Sequence, residues 1–360
     1  MKVRFELIPY TLDFRFVAGT SRGTLTQKPT WFVRCWQEGN EAVVGWGEAS
    51  PLKGLSSDFS EDYEQRLKAV LNHLEGLEIP EKIDLDFIEG NTPLEMPSVR
   101  FAIETALLDL WNGGQQHLFP GSFTEGKQRI PINGLVWMGD EAFMQKQIDE
   151  KLKAGFNTIK MKVGAIDFAT EFSLLEKLRD RYSANELTLR VDANGAFTEA
   201  DVFNKLEQLA SLQIHSIEQP VKPGQRELMK KICENALLPI ALDEELIGVN
   251  LPAERHALLA EIKPQFIILK PSLLGGIMAC QAWIELAESL DIGWWVTSML
   301  EANVGLNAIA QFTAQFEPKM PQGLGTGQLY HNNVTSPLMI KKGHLHYFSN
   351  GRWHLTLPSS

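Results

Sequence analysis

Residues 187–195 read Leu-Thr-Leu-Arg-Val-Asp-Ala-Asn-Gly. An apolar run ends here in two polar side chains, Asp192 and Asn194. Alternation along a strand turns residues two apart to the same face. Charge at the end of a buried strand is costly unless it is paired or metal-bound. The pattern recurs on both sides. The run 158–163 carries Lys160 and Lys162, 214–218 ends in Glu218, 239–243 ends in Asp243 with Glu244 after it, and 266–270 ends in Lys270. Runs at 130–136 and 294–298, and a Gly-rich stretch at Gly323, extend the series. Their starts lie about 25 to 30 residues apart with amphipathic helical stretches between, the repeat length of βα units in a parallel sheet. Seven clear units and an irregular eighth predict an α/β fold of the (β/α)8-barrel type.

The barrel pattern begins near residue 126. Before it, residues 1–125 read as mixed α and β. Val3, Phe5 and Leu7 alternate with Lys2, Arg4 and Glu6, the period of a half-buried strand. Further strands are expected from Trp31 and over 42–46, interrupted by Gly/Ser-bearing loops at 18–24 and 50–57. Helices are expected over 60–77 and 98–112, the second stopped by Gly113-Gly114. After residue 327, alternation returns at Leu338, Ile340, His344, His346 and Phe348, so 328–360 is expected to rejoin the N-terminal domain.

Composition excludes several function classes. The 360 residues are 44% hydrophobic and 22% charged, ordinary globular usage. Formal net charge is −11, which repels phosphate backbones and anionic lipid and argues against nucleic-acid or membrane partners. The N-terminus lacks an apolar stretch of signal-peptide type, and no apolar run reaches the length of a membrane helix. Cys35, Cys233 and Cys280 are few, odd in number and far apart, so a reducing, cytoplasmic setting is expected rather than a disulfide framework.

In a barrel the C-terminal strand ends converge on one mouth. Asp192, Glu218 and Asp243 come from three successive strands, so three carboxylates stand side by side. Oxygen-only ligation suits a hard cation such as Mg2+; zinc would want His or Cys, and none sits at these strand ends. Lys162 and Lys270 lie four strands apart, across the mouth. A lysine is a base only when neutral, and a second ammonium (Lys160) beside a metal would depress its pKa. Such a set suits removal of a proton α to a carboxylate. Singly, each element has an ordinary alternative: a solvated Lys-x-Lys edge, or an Asp capping a helix. The ordered series of five charged strand ends carries the argument. Gly323, Gly325 and Gly327 form a turn that could present N–H groups to a carboxylate. Trp294-Trp295, His215 and the cysteines read as packing residues.

Lys160-Met-Lys162, Asp192-Ala-Asn194, Glu218-Gln-Pro220, Asp243-Glu244 and Leu269-Lys270-Pro271 together resemble the muconate-lactonizing-enzyme-like subgroup of the enolase superfamily. The likeness covers nearly the whole chain and implies a modified TIM barrel at 126–327, an α+β capping domain at 1–125, and a tail, 328–360, that completes the cap. It implies Asp192, Glu218 and Asp243 as ligands of Mg2+, with Mn2+ a substitute. Lys162 and Lys270 become the working lysines, with Lys160 as tuner of Lys162. SMLEANVGLNAIAQF (298–312) and PQGLGTGQL (321–329) resemble the o-succinylbenzoate synthases of that superfamily, enzymes of menaquinone biosynthesis. The implied reaction is syn-dehydration of 2-succinyl-6-hydroxy-2,4-cyclohexadiene-1-carboxylate, a small carboxylate substrate. The Asp-x-Asp that dipeptide epimerases carry on the last strands is absent here. N-Acylamino-acid (N-succinylamino-acid) racemisation and cycloisomerisation stay open, because both use the same lysines. Asn194, Ser298, Gly325, Thr326 and Arg190 are the expected substrate contacts, with the loops 18–24 and 50–57 closing over the succinyl arm.

Overall fold

A computed structural model describes residues 1–20, 23–80, 82–164, 166–235 and 237–355. The chain opens with an antiparallel meander of β1 (Val3–Thr20), β2 (Gly23–Gln37) and β3 (Asn40–Ala49). Within the expected loop at 18–24, residues 18–20 and 23–24 are instead strand. Ala18 pairs with Leu25, Gly19 with Thr24 and Thr20 with Gly23, so the pairing begun at Val3 resumes, after a register shift between Asp13 and Ala18, up to Thr20 and Gly23. Ser21 and Arg22, between them, lie outside the described residues.

Helices α1 (Tyr63–Glu75), α2 (Leu85–Asn91) and α3 (Pro97–Trp111) follow. Pro97 opens α3, where its missing N–H costs nothing. α3 lies so close on β3 that a Cβ at Gly47 would come 1.9 Å from the Ala102 carbonyl oxygen. Its other face meets the barrel, burying Arg100 and Glu104, while Asp109 is buried on the sheet side, where it accepts the N–H of Trp46 in β3 (3.0 Å).

Among the described residues the barrel is one sheet of seven parallel strands in sequence order. After β4 (Arg129–Pro131), β5 (Gly134–Val136) leads into α4 (Glu141–Lys153). Next come β6 (Thr158–Lys162), α5 (Phe168–Arg181), β7 (Thr188–Asp192), α6 (Val202–Ser211), β8 (Ser216–Glu218), α7 (Arg226–Asn235), β9 (Ile240–Leu242) and α8 (Pro252–Ile262). β10 (Phe266–Leu269), the short α9 (Pro271–Leu274), α10 (Ile277–Ser289), β11 (Gly293–Val296) and α11 (Asn303–Ala314) complete it. The eighth position holds only Gln322 and Gly323. Gln322 N–H donates to the Pro131 carbonyl (2.8 Å) and Gly323 N–H to that of Val296 (2.8 Å), so two residues close the ring. A Cβ at Gly323 would meet Thr297 Oγ1 at 2.4 Å, so glycine permits this approach.

The run 130–136 divides between two sheets. β4 pairs with β13 (His344–Tyr347), itself paired with β12 (Leu338–Lys341), while β5 belongs to the barrel. Just before these tail strands, Tyr330 bridges Phe14 of β1, and Asn332 Nδ2 donates to the Thr11 carbonyl (2.7 Å). Two buried carboxylates of the N-terminal domain cap barrel helices. Glu104 accepts the N–H groups of Ile277 (2.6 Å) and Met278 (2.8 Å) on α10. Glu48 accepts those of Ala302 (2.7 Å) and Gly305 (2.8 Å) on α11. These are otherwise orphan donors at the positive end of a helix. Among the described residues no helix is long and apolar enough to cross a membrane.

Candidate active site

Parallel register brings the charged strand ends level. Lys162 on β6 stands opposite Asp192 on β7, and Asp192 opposite Glu218 on β8. Asp243 follows β9 directly and Lys270 follows β10. Asn194 (φ 43°) and Gln219 (φ 39°) take left-handed conformations just beyond their strands, which turns the chain sharply at the mouth. Gln219 links two strand ends, its Oε1 accepting the N–H groups of Asp243 and Glu245, both at 3.2 Å.

The charges interlock. Lys160 Nζ donates to Glu218 Oε2 at 2.9 Å and Asp192 Oδ2 at 3.4 Å. Lys162 Nζ donates to Asp192 Oδ2 at 2.9 Å and Asn194 Oδ1 at 2.6 Å. Lys270 Nζ pairs with Asp243 and lies 4.0 Å from Glu218 Oε1. Burial alone would neutralise these groups, but the ion pairs decide most of them. Burial pulls Lys270 down, yet Asp243, Glu218, Glu244 and Asp192 outweigh it and raise its pKa above the usual lysine value. Lys160 is likewise raised, Glu218 and Asp192 overcoming burial. Burial pushes Asp192 up, but Lys162, Lys160 and Lys270 hold it well below the usual carboxylate range. Asp243 goes the other way: burial, then the neighbouring charges of Glu244 and Glu218, push it up against Lys270.

These carboxylates fit a hard divalent cation in donor chemistry. Glu218 Oε1 is buried with no hydrogen-bond partner, and Asp243 sits in an excess of negative charge. Among the described residues, no three His, Cys, Asp or Glu side chains are grouped so as to coordinate an ion. Ammonium groups stand among the oxygens instead.

A cavity of about 370 Å³ opens over this cluster. Lys160, Lys162, Asp192, Asn194, Glu244 and Lys270 form its charged side, and Ser298, Gly325 and Thr326 stand on its wall. Thr20, from the hairpin, and Leu52, Lys53 and Leu55, from the expected loop 50–57, reach it from the N-terminal domain. Arg190 does not line it. Two residues before Asp192 on the same face, it lies one layer deeper in the barrel, its guanidinium 4.1 Å over the Trp295 ring and bonded to the Pro321 carbonyl (2.8 Å). Burial pulls it down to about 10. His215 stacks on Phe266 at 5.4 Å, and the three cysteines are buried and free.

Sequence reasoning missed much of the wall, and three residues of it show why. Asn133 has a buried Oδ1 with no hydrogen-bond partner, Trp137 is apolar, and Leu300 holds a φ of 65°. None interrupts an apolar run with charge, which was the signal that exposed the others. Glu244 was visible beside Asp243, but not its bond from Asn194 Nδ2 (3.0 Å).

Residues 143–350 match the family of enolase C-terminal domain-like proteins. The chain is similar to an o-succinylbenzoate synthase of Desulfotalea psychrophila, 47% identical over 355 residues, 92% of this chain and 95% of that relative. It is 26% identical to an N-succinyl-L-Arg/Lys racemase of Bacillus cereus over 335 residues, 91% of this chain and 85% of the relative. The fold matches the crystal structure of MenC from Desulfotalea psychrophila with a TM-score of 0.86 at 44% identity, covering 96% of this chain and 100% of that one.

Proposed function

The chain belongs to the enolase C-terminal domain-like family, within it to the o-succinylbenzoate synthases, and from that premise we propose that Lys162 is both the base and the acid of its dehydration. The substrate is 2-succinyl-6-hydroxy-2,4-cyclohexadiene-1-carboxylate, the product 2-succinylbenzoate, and the setting menaquinone biosynthesis. The observation that carries the division of labour is the facing pair, Lys162 and Lys270, which line one cavity with Asp192, while Glu218 and Asp243 are buried against Lys160 and Lys270.

Asp192, Glu218 and Asp243 would hold Mg2+, or Mn2+ in its place. When bound, the cation supplies positive charge that stabilises the substrate carboxylate as negative charge builds on it. Neutral Lys162 takes the ring proton α to the carboxylate. The ammonium so formed returns that proton to the departing hydroxyl on the same face as the C–O bond breaks, and water leaves. The electron pair released by the C–H bond completes the aromatic ring. Lys270, kept cationic by its carboxylate neighbours, lies against the ring and stabilises the delocalised charge. Lys160 engages Asp192 and Glu218 and so sets the field around Lys162. Asn194, Ser298, Gly325 and Thr326 contact the substrate, and Arg190 supports from below. We divide the chain into a cap (1–125), a barrel (126–327) and a returning tail (328–360), in a cytoplasmic setting that the free cysteines support.

Racemisation of N-succinylamino acids is the second reading of the same site, favoured by two lysines on opposite sides of the cavity. Loss of diene absorbance by purified protein with Mg2+, with an EDTA control, tests the proposal. Fast EDTA-sensitive conversion is expected. No conversion would overturn the dehydration and shift attention to α-proton exchange on N-succinylamino acids.

A further inference from the structure

Three fully buried charges behind the cavity wall play no part in the dehydration as drawn: Lys28, Glu48 and Glu301. Glu301 accepts the hydroxyls of Ser272 (2.5 Å) and Ser298 (2.6 Å) and the N–H of Met299 (2.7 Å). Thr326 Oγ1 donates in turn to Ser298 Oγ at 2.8 Å. Ser298 and Thr326 both line the cavity, so their protons run inward to Glu301, whose charge stands one hydroxyl behind the wall. Glu48, at the head of α11, also receives Thr30 Oγ1 at 3.1 Å. Two buried carboxylates here would oppose any anion bound against the wall, because a low-dielectric interior screens little.

Lys28 is the cation set against them. Its Nζ donates to the Ser50 carbonyl (2.8 Å) and the Ser50 hydroxyl, at the root of the segment that carries Leu52, Lys53 and Leu55 to the cavity. Burial pulls the ammonium down to about 8, while the charges of Glu48 and Glu301 act the other way.

We infer that Lys28 is a positioning residue for the anionic substrate: it offsets Glu48 and Glu301 behind the wall, so that a carboxylate can bind in the cavity on the other side of it. This rests on the cavity being the site of a carboxylate substrate, and it deepens that reading by assigning the charge balance that admits one.

The test compares K28M, E301Q and the double variant with wild type in steady-state turnover, with folding followed by circular dichroism. K28M is expected to raise KM about ten-fold or more while kcat stays within about three-fold. In K28M/E301Q one anion leaves with the cation, and KM returns to within about three-fold of wild type. A purely structural lysine would lower the active fraction, and so kcat, without this recovery of KM. Unchanged KM in K28M, or losses that multiply in the double variant, overturns the inference. If K28M does not fold, the double variant decides: folding with near-wild-type KM supports the charge balance, and failure to fold overturns it. Wild type that leaves the diene untouched but exchanges the α-proton of an N-succinylamino acid sinks the dehydration alone. The same KM comparison is then made on that carboxylate.

Discussion

Asn194 joins the two sides of its strand end: its Oδ1 accepts Lys162 Nζ at 2.6 Å while its Nδ2 donates to Glu244 at 3.0 Å. The left-handed backbone at Asn194 aims the side chain along this line. The lysine is thus pointed by an uncharged acceptor as well as by Asp192. Lys162→Ala should reduce turnover by roughly 10²–10⁴-fold while leaving cation affinity largely intact. Asn194→Ala keeps the amine but loses its guide, and a loss of about 10-fold or more in kcat is expected. Rapid-quench turnover together with a cation titration checks both. Retained activity in Lys162→Ala would sink the acid–base assignment.

Removing the cation should stop the reaction without unfolding the barrel. The closing bonds of the ring run through Gln322 and Gly323, away from the carboxylates. EDTA is therefore expected to abolish diene consumption while the far-ultraviolet dichroism persists, and added Mg2+ to restore turnover. Glu218→Gln removes the carboxylate whose buried Oε1 accepts no hydrogen bond. Its apparent Mg2+ affinity should fall by about 10-fold or more. An equally tight titration curve would take Glu218 off the ligand set.

What the sequence made legible was whatever broke a pattern. Lys162, Asp192, Glu218, Asp243 and Lys270 interrupt apolar runs, and the runs recur at one spacing, so the barrel, its family and the charged mouth could be read in order. The weak eighth strand was legible for the same reason, since Gly323 supplies no apolar run. The segment 18–24 misled because Gly19 and Gly23 resemble a loop, whereas both are paired strand residues, beyond a register shift that follows Asp13. Arg190 shares a strand face with Asp192, but face alone does not give depth. Glu48 and Glu104 were silent because their partners, Ala302 and Ile277, lie across the domain junction, and Lys28 because its partner, Ser50, is brought to it by the pairing of β2 with β3. No local period encodes such a contact.

The junction of β3 with α3 leaves no room for a side chain. Besides the clash at Gly47, a Cβ at Gly45 would stand 2.0 Å from the Ala106 carbonyl oxygen. Backbone oxygens cannot rotate away as a side chain can, so the helix must shift bodily. Gly47→Ala should destabilise the protein by about 3 kcal/mol or more, read as a lower urea midpoint. A midpoint within error of wild type would mean that α3 stands further from the sheet.

Glu104 couples stability to pH. Burial raises its carboxyl to about 7 from an ordinary 4.5, against the opposing pull of the Met278 and Ile277 N–H groups and Arg100. A folded-state pKa above the unfolded one means that the native protein binds the extra proton. The associated stability is fully present below about 4.5 and is lost as pH rises through about 7. At about 1.4 kcal/mol per unit, the loss is roughly 3 kcal/mol. Glu104→Gln cannot titrate. It sets an amide NH2 against one of two backbone donors, a mismatch that costs about 1–3 kcal/mol relative to the protonated wild-type carboxyl and does not itself vary with pH. The stability gap between wild type and Glu104→Gln should therefore be widest near pH 5 and shrink by up to about 3 kcal/mol by about pH 8. Urea unfolding of both proteins across that window measures it. A gap independent of pH would mean that the helix terminus keeps Glu104 ionised throughout, and that its two N–H bonds outweigh its burial.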